Sequence, residues 1–230
     1  RTALLTGRQA PRVGMVGVIN SLSIAGLPLS EITLAQHLKR QGYKTLAIGK
    51  WHQGQQPQYL PLNRGFDRFH GLPFSVDDGI GFTSTCSARS DKASHFFYGS
   101  PSPEVTLGPE LPLPLIYQDA NSSTSIIEQQ PVDLTPLTAK LTDTVLKFIT
   151  ENQAEPMLLY IAFPHVHTAY TNLGTSMQYA GCRYQNFTTR GLFGDALAEV
   201  DGFVGSVMGQ LELYGLDKKN VNTLFLRQRS

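Results

Sequence analysis

Apolar positions in this chain follow two periods. After Thr135-Pro136, Leu137, Leu141, Val145, Phe148 and Ile149 recur at helical spacing. The threonine serves as N-cap and the proline takes the first helical position. Leu197, Val200, Val204, Val207 and Leu211 mark a second helix over residues 194–213, ended by Gly215. A shorter helix over 31–41 has Leu34, Ala35 and Leu38 on its apolar face, Ser30 placed to cap it and Gly42 just past its end. Residues 43–48, 157–163 and 222–226 are runs of strand length. Residues 53–134 are rich in proline and glycine, show little periodicity, and predict surface loops and short hairpins. Strands alternating with helices predict an α/β fold, a mainly parallel sheet flanked by helices.

Composition narrows the classes. With 19 Lys+Arg against 18 Asp+Glu the net charge is +1, which gives no reason to expect a nucleic acid partner. The longest apolar run, residues 157–163, falls far short of the ~20 residues of a membrane span. A hydrophobic fraction of 41% is enough to build a core, so disorder is disfavoured. Cys86 and Cys182 fit one disulfide, two buried thiols, or thiols with partners elsewhere. Asn121-Ser122-Ser123 and Asn186-Phe187-Thr188 are glycosylation sequons and mildly favour a secretory route. The chain opens on Arg1-Thr2-Ala3 without a signal peptide, as a processed or mid-protein start would.

Candidate chemistry gathers where strands end. In open α/β sheets ligands bind outside the carboxyl ends of the strands. Lys50 and His52 follow one run, and His165 and His167 follow another. Each pair has a plain alternative, a solvated rim for Lys50 and His52 and backbone-satisfied rings for the histidines. A metal is disfavoured, because no Asp or Glu lies within four residues of either histidine. Cationic and titratable groups meeting at strand ends suit an anionic substrate, whose oxygens they neutralise.

Longer motifs sharpen this. Arg1-Thr2-Ala3-Leu4-Leu5-Thr6-Gly7-Arg8 resembles the second half of the sulfatase signature, and Gly49-Lys50-Trp51-His52-Gln53-Gly54 resembles that family's Gly-Lys-Trp-His-x-Gly box. Leu60-Pro61-Leu62-Asn63-Arg64-Gly65-Phe66-Asp67, Gly71-Leu72-Pro73-Phe74-Ser75, His165-Val166-His167 and Phe193-Gly194-Asp195-Ala196 follow in the family's order. The chain thus resembles the sulfatase family, in particular arylsulfatases of the A and G type. The resemblance implies an alkaline-phosphatase-like architecture and hydrolysis of sulfate esters of small molecules, lipids or glycans. It also implies a formylglycine nucleophile made from cysteine by a formylglycine-generating enzyme, a bound calcium, and a lysosomal or extracellular location.

By motif position, Arg1 would support the nucleophile and metal end. Lys50 and His52 would contact sulfate and the formylglycine hydroxyls, and Ser75 would donate to substrate. His167 would contact sulfate or protonate the leaving oxygen. His167 is preferred because the family histidine usually precedes x-Pro, although Ala169 replaces that proline; His165 is the reserve. The family's signature cysteine falls before Arg1, as do its paired aspartates, and its Asp-Asn-Gly loop does not follow Phe225. Neither Cys86 nor Cys182 replaces the nucleophile. Residues 1–230 are therefore expected to be a partial, incomplete catalytic domain, without its metal ligands, marginally stable and without turnover of its own. Two alternatives remain, a non-catalytic relic that binds an anion or a partner protein, and a phosphatase or phosphodiesterase of the same superfamily.

Overall fold

The strand formed by Lys44–Lys50 (β1) has side chains pointing alternately to two faces, and both faces are apolar. Leu46 and Ile48 enter one core, while Ala47 enters the other with Trp51 just beyond the strand. A strand buried on both faces must lie inside a sheet with layers on either side. A computed structural model, describing residues 1–86, 111–122, 124–171 and 176–218, has that architecture.

Two short α-helices precede β1, α1 (Thr2–Thr6) and α2 (Leu34–Arg40), and strands β2 (Arg68–Leu72) and β3 (Ile80–Gly81) follow it. Next come β4 (Leu115–Asp119), β5 (Thr124–Gln129), α3 (Leu137–Glu151) and β6 (Met157–Ala162), then β7 (Ala169–Thr171), β8 (Ser176–Met177) and α4 (Gly191–Leu213). The main sheet runs β5-β4-β2-β1-β6, with β1 parallel to both β2 and β6 and the β4–β5 hairpin antiparallel at one edge. A small sheet, β3-β7-β8, lies apart from it. The α/β expectation holds, with the parallel strands at the centre of a mixed sheet.

Helices α3 and α4 cover the Leu46/Ile48 face. The predicted α3 stripe, Leu137, Leu141, Val145, Phe148 and Ile149, is buried throughout, each large apolar side chain contributing about 1.5–3 kcal/mol by leaving water. On the other face Trp51, Phe66 and Phe69 pack with Leu5 and Ala35.

Several expectations need correction. Helix α2 begins at Leu34, not at residue 31, and is capped by Thr33 rather than Ser30: Gln36 N–H donates to Thr33 Oγ1 (3.1 Å) and Thr33 N–H to Gln36 Oε1 (2.9 Å). Helix α3 starts one residue later than predicted, with Pro136 at the cap, because the Thr135 hydroxyl donates to the Ser84 carbonyl instead (3.2 Å). Helix α4 starts at Gly191, and Leu197 lies outside its buried stripe, 45% exposed. The largest correction is in 53–134, where β2 is a buried interior strand rather than a loop. The expected strand at 222–226 lies outside the described residues.

Candidate active site

Register at the centre of the sheet brings the motif residues together. Gly49 pairs with Gly71 on one side and with Ala162 on the other. Gly49 has a positive φ of 82°, and a Cβ at residue 71 would collide with the Gly49 carbonyl, so this approach requires glycine. Beyond it the chains stay zipped: Trp51 N–H donates to the Leu72 carbonyl (2.8 Å) and His52 N–H to that of Pro73 (3.0 Å). Trp51 turns into the core, its Nε1–H on the Tyr59 carbonyl (2.8 Å).

The zipped segment brings Ser75 to Lys50. Lys50 Nζ donates to Ser75 Oγ, and Ser75 Oγ donates to Asp77 Oδ1. Arg1 joins from α1, its Nε–H donating to the Lys50 carbonyl at 3.0 Å. From β6 the chain runs into residues 164–168, which carry His167 with Nε2 3.7 Å from Asp77 Oδ2. His167 Nδ1 lies 2.9 Å from the Thr168 carbonyl, so it carries a proton there and a second proton on Nε2 would face Asp77.

Electrostatics separates the roles. Burial, the nearby Arg1 charge and only partial compensation by Asp77 and Asp78 pull the Lys50 ammonium down to about 8. Burial and Lys50 hold His52 down at about 4, so it is neutral at pH 7. His52, with φ 55°, places Nε2 2.7 Å from the Ile19 carbonyl; the proton is therefore on Nε2 and Nδ1 keeps an acceptor lone pair. Burial alone would raise Asp77, but the Ser75 hydroxyl, His167 and Lys50 bring it below the usual carboxylate range. Asp78 moves the other way, raised by burial and by Asp77.

Arg1, Lys50, His52, Ser75 and His167 thus stand at one edge of the sheet. His165 does not join them. Its side chain is fully buried on the far side of the same loop, with Nε2 2.7 Å from Glu199 Oε2. The absence of nearby acids in sequence is made up in space, because Asp77 faces one histidine and Glu199 binds the other. Asp77 and Glu199 were not anticipated. Two adjacent acids two residues after Ser75 were the only signal for the first, and the second stood only within a helix that resembles the family's, with no role attached.

The groups implied by the resemblance find no seat here. Among the described residues no group of three or more His, Cys, Asp or Glu could hold a metal ion, and the cluster around Lys50 is cationic where calcium needs oxygen ligands. Cys86 and Cys182 are joined in a disulfide with Cα atoms 5.5 Å apart, so neither offers a thiol for conversion to formylglycine. The described residues therefore fit neither group.

A sulfatase family model matches residues 1–225. The chain is 37% identical to bovine arylsulfatase A over 94% of its own length and 39% of that protein's. It is 34% identical to dog arylsulfatase G, covering 92% of this chain and 38% of that protein. Its fold matches the PsFucS1 sulfatase of a Pseudoalteromonas species with a TM-score of 0.69 and 26% identity, over 94% of this chain and 42% of that one. The chain thus spans about two fifths of the length of the relatives it matches.

Proposed function

This chain belongs to the sulfatase family, and from that premise we propose that it supplies the sulfate-binding edge of a sulfuric ester hydrolase. The observation carrying this reading is the buried Lys50 ammonium on Ser75, with Arg1 on the Lys50 carbonyl and His167 opposite the Asp77 that Ser75 meets. A sulfate ester bears negative charge that grows on its bridging oxygen as the S–O bond breaks. Fixed cations and hydroxyl donors at that place stabilise the transition state more than the ground state. Lys50 and Ser75 hold the non-bridging oxygens, with Arg1 adding positive potential. His167, its Nδ1–H on the Thr168 carbonyl, turns Nε2 toward Asp77, a position from which a proton can pass to the leaving oxygen. His52 Nδ1 accepts a hydrogen bond from an attacking hydroxyl.

Formylglycine and calcium remain implied by the family alone, and with them a formylglycine-generating partner. We read residues 1–230 as part of one catalytic domain and expect them to bind sulfate without turnover when taken alone. We also place the protein in the secretory pathway, lysosomal or extracellular. The Cys86–Cys182 disulfide and the exposed sequon residues Asn121 and Asn186 support that placement. The substrate class is a sulfated small molecule, lipid or glycan.

The test is hydrolysis of 4-nitrophenyl sulfate by the natural gene product, set against 4-nitrophenyl phosphate and a Lys50→Ala variant. Sulfate turnover lost by at least about 100-fold in the variant supports the reading. Faster phosphate turnover would assign the protein to the phosphoesterase branch. Sulfate binding without turnover of either ester would make it an anion-binding relic.

A further inference from the structure

Residues 164–168 carry one histidine in the open cluster and one in the core, and it is the core end that is held on several sides. His165 is wholly buried, and the Glu199 side chain opposite is 5% exposed. Both Glu199 oxygens also accept the Gly181 N–H at 3.1 Å. Thr138 Oγ1 of α3 lies 3.4 Å from His165 Nε2, and the Tyr179 ring packs 4.2 Å from the imidazole. Gly181 adjoins Cys182 and its disulfide. Helix α3, helix α4, the 179–182 segment and the loop after β6 thus meet at the His165–Glu199 pair.

A buried ionisable pair adds little net stability over apolar residues of the same volume, so stability alone does not account for this one. Its geometric consequence is to fix the backbone of His165, two residues before the ring whose Nε2 lies 3.7 Å from Asp77 Oδ2. We propose that Glu199 is a positioning residue for His167, acting through His165 and the backbone of Val166. This rests on the sulfatase reading given above. With a carboxylate opposite, His165 carries its proton on Nε2, and Nδ1 is left buried without a hydrogen-bond partner. In Glu199→Gln the amide can meet Nε2 as a donor. In that orientation the imidazole proton moves to Nδ1, whereas an amide carbonyl opposite Nε2 leaves it in place, and the ¹⁵N resonances of His165 tell the two apart.

The experiment uses the natural gene product with Glu199→Gln. A cooperative thermal transition should persist, KM should stay within about twofold, and kcat should fall about 10- to 100-fold, the cost of a small misplacement of a reacting group. An unchanged kcat in the folded variant overturns the proposal. If the wild type does not hydrolyse sulfate esters, the sulfatase reading is the one that fails. The positioning claim is then decided by the His167 ring ¹⁵N resonances, displaced in the variant if the proposal holds and unmoved if it does not. Should Glu199→Gln not fold, His165→Gln and His165→Leu decide. The glutamine amide can replace the Nε2–H donor and should leave the His167 resonances in place, whereas leucine should displace them. Equal behaviour of the two sinks the idea.

Discussion

Two histidine–carboxylate pairs flank one loop, and they differ in almost everything except chemistry. His165 and Glu199 sit at 2.7 Å with their side chains 0% and 5% exposed. His167 and Asp77 sit at 3.7 Å with 23% and 42% exposed. In the core, ionisable groups shed their water and depend on each other, on Gly181 and on the Thr138 hydroxyl for their hydrogen bonds. At the open end water remains available, so the pair costs little to keep or to break. The difference teaches where rigidity and reactivity are kept: the stiff pair is removed from solvent, and the responsive pair faces it.

The sharpest way to break this comparison is truncation at each end. Glu199→Ala takes the carboxylate from the Gly181 N–H and leaves the His165 Nε2 only the Thr138 hydroxyl at 3.4 Å, and stability should fall by about 3–5 kcal/mol, enough to unfold a marginal domain. Asp77→Ala should cost less than about 1 kcal/mol. Denaturant unfolding of both variants measures the gap, and equal losses would mean that the two ends are energetically alike.

Legibility divides along similar lines. Strand β1 and helix α3 were readable because local periodicity coincides with burial. Strand β2 was not, because Arg68-Phe69-His70-Gly71-Leu72 has a histidine at its centre and a glycine beside it. His70 is buried only because Thr144 (2.7 Å) and Glu128 (3.0 Å) meet its ring from far along the chain. Ser30 and Thr33 are both plausible caps, but only Thr33 has a glutamine three residues on. Lys50 and His167 were readable as polar groups at strand ends, but Ser75 was found only through a family resemblance, since its approach to Lys50 depends on the Gly49–Gly71 register that no spacing rule contains. Glu199 lies mid-helix, where a glutamate reads as a solvated face until the fold buries it.

A second variant probes the open end at intermediate cost. Lys50 is held near 8, below its ordinary 10.5, so the fold keeps this ammonium at a cost of about 3 kcal/mol near neutral pH. Lys50→Met should therefore raise the thermal midpoint while reducing affinity for inorganic sulfate by at least about 10-fold, the usual weight of a charged hydrogen bond. A midpoint that falls together with affinity would show that Lys50 supports the fold rather than the site.

The same lysine dictates the pH response. Sulfate needs the protonated form, so binding should be full at neutral pH and weaken as pH rises through about 8. Its contribution to stability has the opposite sign: the unfolded state binds more protons between about 8 and 10.5, so stability from this group rises across that window. Calorimetric titration of sulfate, paired with thermal melts from pH 6 to 10 (each value approximate, about one unit apart), should give curves that cross. Parallel curves would remove Lys50 from the binding edge.

The smallest effect separates the two carboxylates most finely. Asp77 raises the Lys50 pKa, whereas Glu199 is not among the groups acting on it. Asp77→Asn should then move the alkaline limb of sulfate binding to lower pH. The same change removes a negative charge beside the anion, so affinity on the acid plateau should rise. The two consequences oppose each other only on the limb, and plateau height and limb position report them independently. Glu199→Gln should leave the limb where it is, because its influence travels through the geometry of the loop and not through the potential at Lys50. Binding isotherms of the three proteins across this range decide it. A limb that moves equally in both variants would mean that the buried carboxylate is felt electrostatically at the open end, and the separation between a structural and a responsive pair would fail.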